Sequence, residues 1–178
     1  MNELPKRKQN RLKDYDYSQI GAYFITICVK DRQEILGEII VGDAAIGVPF
    51  ATNIPFVRLT ETGEMVKLHI ERVGNITENV LLDKYIIMPN HIHMIISITN
   101  ETAATNGTPR AASPTKAVIP KIVNALKSLT SKKFGESMWQ RSYHDRVIRN
   151  ENEYQKIWEY IDTNPSKWET DTYFVKKR

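Results

Sequence analysis

The sequence predicts an α+β domain built on a mainly antiparallel sheet. Three observations carry that prediction: short runs of β-branched and aromatic residues, two such runs joined only by Pro89 and Asn90, and helical periodicity in the segments between and after them. A chain of 178 residues, 41% of them hydrophobic, is long enough to bury a core, which excludes a fully disordered polymer. No run approaches the ~18 apolar residues that a membrane span requires. The charged start lacks the hydrophobic stretch of a secretory signal. The lone Cys28 excludes a disulfide framework and a cysteine-based zinc site. The expectation is a soluble cytoplasmic protein, one domain over residues 1–178, with no membrane partner.

Taken in order, Ala22 to Val29 (AYFITICV) reads as a strand, and Arg32 to Ile40 holds a weaker strand signal. The stretch 42–55 is punctuated by Gly and Pro and reads as a loop. Thr60 is placed to cap a helix running to about Val73, with Val66, His69, Ile70 and Val73 at helical spacing and Gly74-Asn75 at its exit. Val80–Met88 and His91–Thr99 form a hairpin around Pro89-Asn90. Residues 100–116 carry no large apolar side chain and have the composition of a flexible linker. Ala117 to Phe134 is helical, with Ile122, Leu126 and Leu129 on one face and Pro120 tolerated in the first turn. The last helix has Asn150 as N-cap, Glu153 at the capping-box position and a stripe of Tyr154, Ile157, Trp158 and Ile161. Asn164-Pro165 stops it, because the residue before proline avoids the helical region.

Charge alone leaves the partner open. The 25 Lys and Arg exceed the 21 Asp and Glu by four, and the surplus is clustered. Arg11 and Lys13 belong to a basic start, Lys132 and Lys133 form a pair, and a short basic tail closes the chain. Such clusters are solvated ends or a phosphate-facing surface. No Gly-rich phosphate loop, HExxH or GxSxG is present, so nucleotide-dependent and serine-hydrolase chemistry lose their usual support.

His91-Ile92-His93 is the first constellation that carries chemistry. On a strand both imidazoles leave one face, about 6.5 Å apart, close enough to share a divalent ion, while Ile92, Met94, Ile96 and Ile98 make the opposite face greasy and buried. The second is Tyr160 with Asn164. At 100° per residue Tyr160 falls roughly 110° from the centre of the packing stripe, and Asn164 lies one turn below it. That pair suits a nucleophile beside a third metal ligand, or else a half-exposed tyrosine beside a helix-stopping amide.

These residues carry a resemblance. PNHIHMII is similar to the HUH motif (histidine, bulky hydrophobic, histidine), and YIDTNP at 160–165 resembles the tyrosine helix of the IS200-like single-tyrosine transposases, REP-associated branch. The likeness extends over RLKDYDYSQIGAYFITICVKDR at 11–32, WQRSYHDRVIRN at 139–150 and YIDTNPSKW at 160–168. Where many relatives carry a histidine after the Asp of the second segment, this chain has Arg146.

The resemblance implies a ferredoxin-like antiparallel sheet with helices packed on it and the HUH strand central. It implies an enzyme that nicks and rejoins single-stranded, hairpin-containing DNA. His91, His93 and Asn164 would bind the divalent metal, Mg²⁺ or Mn²⁺, and Tyr160 would be the nucleophile, forming a 5′-phosphotyrosine. Monomer and homodimer both occur among such enzymes, so either stays open. Tyr15, Tyr17 and Tyr23, near the basic start with Arg11 and Lys13, would help grip a DNA hairpin, or else Tyr15 and Tyr17 merely anchor the N-terminus. Arg141, Arg146, Arg149 and Lys167, interleaved with Trp139, Tyr143 and Trp168, are further candidates for holding DNA, although the tryptophans suit a core better. The rival readings are a non-catalytic DNA-hairpin-binding protein and a small metallohydrolase using His144 with the histidine pair.

Overall fold

The computed structural model describes residues 19–41, 54–72, 79–99 and 118–176. Among these the order is β1 (Gly21–Cys28), β2 (Gly37–Ile40), β3 (Phe56–Leu59), α1 (Glu61–Glu71), β4 (Val80–Met88), β5 (His91–Ile98), α2 (Val118–Phe134), β6 (His144–Ile148) and α3 (Glu151–Thr163). A 3₁₀ turn, Pro165–Thr170, follows directly. Arg11, Lys13, Tyr15, Tyr17, the linker 100–116, most of the 42–55 loop and the last two basic residues lie outside the described residues.

Strands β1, β4, β5 and β6 form one antiparallel sheet in the order β4-β5-β1-β6. With the β2-β3 ribbon set aside, the sequence β1-α1-β4-β5-α2-β6 is the split βαβ arrangement of ferredoxin-like folds. Strand β5 lies inside the sheet, as the resemblance implies. No described helix is long and apolar enough to cross a membrane.

Alternation along the inner strands decides what each face buries. Tyr23, Ile25 and Ile27 of β1 join Ile92, Met94, Ile96 and Ile98 of β5 against Val66 and Ile70 of α1 and Ile119, Ile122, Val123 and Leu126 of α2. On the other face Ile95 and Ile148 pack against Ile157 and Ile161 of α3, with Phe24 and Ile86 beside them. The sequence led us to expect one buried face and one bearing histidines. Instead both faces are covered, and β5 is buried throughout except at Ser97. An apolar sheet face must find a partner, and α3 supplies it.

The N-caps are as read, but Asn164 keeps helical dihedrals (φ −58°, ψ −42°) despite the following proline, and the chain runs on into the 3₁₀ turn because Pro165 fits its first position. Thr60 Oγ1 accepts from Gly63 N at 3.1 Å, and Asn150 Oδ1 accepts from Glu153 N at 2.9 Å. Glu153 does not close the reciprocal box. Its Oε2 accepts from Arg149 N at 2.9 Å, one residue upstream, and its other oxygen pairs with Arg146. Helix α1 ends at Glu71, short of Val73, and the weak 32–40 signal resolves into four residues. Strands β3 and β6 and the 3₁₀ turn were not read in advance. Edge strand β6 (HDRVI) mixes charge with alternation, a weak pattern over five residues.

Gly63 lets α1 approach β2. A Cβ there would overlap the Leu36 carbonyl oxygen, which accepts from Thr60 N at 3.0 Å. Gly63→Ala is therefore expected to lower stability by about 1–3 kcal/mol through overpacking, despite alanine's better helix propensity. A urea titration checks it by a lower midpoint at unchanged slope.

Candidate active site

His91 and His93 leave β5 on the face that α3 covers, and their Nε2 atoms lie 3.0 Å apart. The outer partner of each ring fixes what those nitrogens offer. Asn90 Nδ2 donates to the Arg32 carbonyl (3.3 Å) and the Tyr173 carbonyl (2.9 Å), so Asn90 Oδ1 must be the atom facing His91 Nδ1 at 2.9 Å. His91 Nδ1 then carries the proton, and Nε2 presents a lone pair. On the neighbouring strand Thr26 Oγ1 lies 2.8 Å from His93 Nδ1 and can accept its proton in the same way. Two ligands about 2.1 Å from one ion at right angles are about 3.0 Å apart, so the pair suits an octahedral cation.

Burial holds both imidazoles neutral, well below the usual histidine range. For His91 the Arg32 guanidinium adds to this, and for His93 its partner His91 does so. Neutral imidazole is the form that ligates. In the unfolded chain the same rings take up protons near pH ~6.5. Below that pH the unfolded state binds more protons than the native one, so stability falls as pH falls. In chelator, the thermal midpoint is expected to drop from pH 7 to pH 5, with a shallower slope in His91→Gln. Equal slopes in the two proteins would refute it.

Tyr160, half-buried on α3, brings its hydroxyl within 3.3 Å of His93 Nε2 and donates to Asp171 Oδ2 at 3.2 Å. Its ring stands edge-on to Phe24, 6.1 Å between centroids. Burial, and then the Asp171 carboxylate, push the phenol's pKa up, so it is neutral and must give up a proton to act as an oxyanion. Asn164 caps the helix and is fully buried. Its Nδ2 donates to Asp171 Oδ2 at 2.9 Å, while Oδ1 has no hydrogen-bond partner. An orphaned buried carbonyl oxygen costs about 1–3 kcal/mol; a cation would satisfy it. The donor set of two bare imidazole nitrogens and this oxygen fits a divalent metal.

Sequence reasoning missed Asp171. Its carboxylate oxygen and the nitrogens of His91 and His93 all lie within 4.8 Å of one another. The 3₁₀ turn that Pro165 opens carries it there, and proline at the first helical position was the available signal. Thr26, Asn90 and Tyr173 were missed as well. The Tyr173 ring covers His91 at 4.5 Å between centroids and lies under the Arg32 guanidinium at 4.6 Å.

Of the remaining candidates Trp168 reaches this cluster, its ring 6.0 Å from that of His91 between centroids, while the others stay apart. His144 is exposed on β6, with its ring 6.4 Å from that of Tyr173, and Asp171 rather than His144 joins the pair. Trp139, Tyr143 and Trp168 are buried, and Tyr23 is fully buried in the core, where it cannot grip a hairpin. Lys132 and Lys133 are exposed in the last turn of α2, as are Arg141 before β6, Arg149 before α3 and Lys167 on the 3₁₀ turn. Arg149 lines a shallow basic hollow with Arg146 and Lys156.

No family model matches the chain. An uncharacterized protein of Haemophilus influenzae (strain Rd) is 35% identical over 181 residues, covering 95% of this chain and 93% of that one. A REP-associated tyrosine transposase, solved bound to a REP hairpin, superposes with a TM-score of 0.57 at 17% identity, covering 89% of this chain and 73% of that one. The second likeness is one of fold.

Proposed function

We propose that this chain, which belongs to one family with the Haemophilus influenzae protein and has the fold of the IS200-like single-tyrosine transposases, is a metal-dependent nuclease and strand transferase acting on single-stranded, hairpin-bearing DNA. One observation carries the reading: the Tyr160 hydroxyl lies 3.3 Å from His93 Nε2, which itself faces His91 Nε2 at 3.0 Å. A potential nucleophile and a potential metal site thus share an atom's neighbourhood. The partner follows from the hairpin on which the structural relative was solved.

His91, His93 and Asn164 would hold the cation. When bound, Mg²⁺ or Mn²⁺ supplies Lewis-acid polarisation and orientation of the scissile phosphate, and imidazole ligands favour Mn²⁺ of the two. Tyr160 Oη attacks phosphorus, and the bond from phosphorus to the 3′ oxygen breaks. The phenolic proton is released to solvent, and the departing 3′ oxygen takes up a proton from solvent. The product is a 5′-phosphotyrosine with a free 3′-OH, and a later 3′-OH reverses the step. The covalent link conserves the phosphodiester's energy, which agrees with a sequence that has no nucleotide-binding loop.

The test is a pool of labelled hairpin oligonucleotides with degenerate single-stranded flanks, incubated with the protein and Mn²⁺. An adduct that survives SDS supports the reading. Cleavage without adduct points to the metallohydrolase, and retention without either points to a binding protein; both would overturn it.

A further inference from the structure

The Asp171 carboxylate sits against both proposed working groups, and three protein donors already occupy it. Asn164 Nδ2 and Tyr160 Oη donate to Oδ2, and Tyr173 N donates to Oδ1 at 2.6 Å. A carboxylate only accepts, so the Asn164 amide must turn its NH₂ toward Asp171 and its carbonyl oxygen away. That oxygen is buried and unpartnered. Pro165 follows Asn164 directly, and Asp171 caps the end of the turn it opens, its own N–H bonded to the Trp168 carbonyl at 3.0 Å. The six-residue 3₁₀ segment Pro165–Thr170 therefore joins the two residues.

From this we infer that Asp171 is a positioning residue, resting on the metal-dependent reading above. It fixes the Asn164 amide so that the carbonyl oxygen is offered to the cation, and with the same oxygen it registers the Tyr160 hydroxyl beside the site. It acts through Asn164 and is not a ligand of its own. Most of its lone-pair sites are already used, whereas Asn164 Oδ1 has all of its capacity free.

Coupling separates an orienting group from a ligand. Mn²⁺ affinity is measured by electron paramagnetic resonance titration, without DNA, in wild type, Asp171→Ala, Asn164→Ala and the double variant, with thermal midpoints recorded in parallel. Asp171→Ala is expected to weaken binding about 10–100-fold, as is typical for an outer partner. Asn164→Ala loses at least as much, and the double variant is no weaker than Asn164→Ala. Asp171→Asn keeps the shape with one accepting oxygen, falls in between, and replaces the alanine variant in the cycle should that not fold. Unchanged affinity in Asp171→Ala, or losses that multiply in the double variant, overturns the inference alone. A wild type that binds no Mn²⁺ overturns the metal-dependent reading and this inference with it.

Discussion

Tyr160→Phe is expected to abolish the covalent protein–DNA adduct while leaving the fold and Mn²⁺ affinity nearly unchanged. The substitution removes one oxygen atom. The ring keeps its edge contact with Phe24 and its place beside His93, 5.3 Å between centroids. Asp171 Oδ2 keeps its bond from Asn164, so no buried acceptor is orphaned and the structural cost is that of one hydrogen bond, about 0.5–1.5 kcal/mol. Strand cleavage, by contrast, loses its proposed nucleophile and should fall by at least about 10⁴-fold, the scale seen when a covalent catalyst's attacking group is removed. Adduct formation on denaturing gels and Mn²⁺ titration separate the two effects. An adduct at wild-type yield in the Phe variant would mean that another residue attacks.

Replacing either histidine should act on the metal first. His91→Ala and His93→Ala are each expected to weaken Mn²⁺ binding by more than the ~10–100-fold typical of an outer partner, because each deletes a bare donor nitrogen. Their adduct yields should differ in how well they recover. His93 Nε2 reaches the Tyr160 hydroxyl and its ring stacks on Phe24 at 5.1 Å, whereas His91 is held by Asn90 on its far side. Excess Mn²⁺ should therefore restore His91→Ala more than His93→Ala. Adduct yield against Mn²⁺ concentration reads this directly, and equal recovery would argue that His93 does no more than ligate.

Much of this site was legible because two periodicities did the work. Period two along PNHIHMII put both imidazoles on one face, and the 3.6-residue period of α3, with Asn150 as cap, set Tyr160 and Asn164 one turn apart. The covering of the histidine face was not legible, since nothing in the β5 pattern says which element will pack there. Asp171 escaped for a related reason: its place depends on a 3₁₀ turn, and such turns lack a strong repeat. Tyr173 and Asn90 escaped because they act through backbone carbonyls and an amide, which no spacing announces. The basic residues at the chain's start lie outside the described residues, so their expected grip on DNA stands as a proposal.

The Asn90 side chain links the carbonyls of Arg32 and Tyr173, 58 and 83 positions away along the chain, and steadies His91 at the same time. Contacts so distant in sequence close large loops, and the hairpin alone does not supply them. The imidazoles can thus be present on a finished hairpin and still lack the tautomer and aim that ligation needs. The final turn braces the histidine pair from outside the sheet, and removing it would take away the Tyr173 carbonyl and the Asp171 carboxylate together.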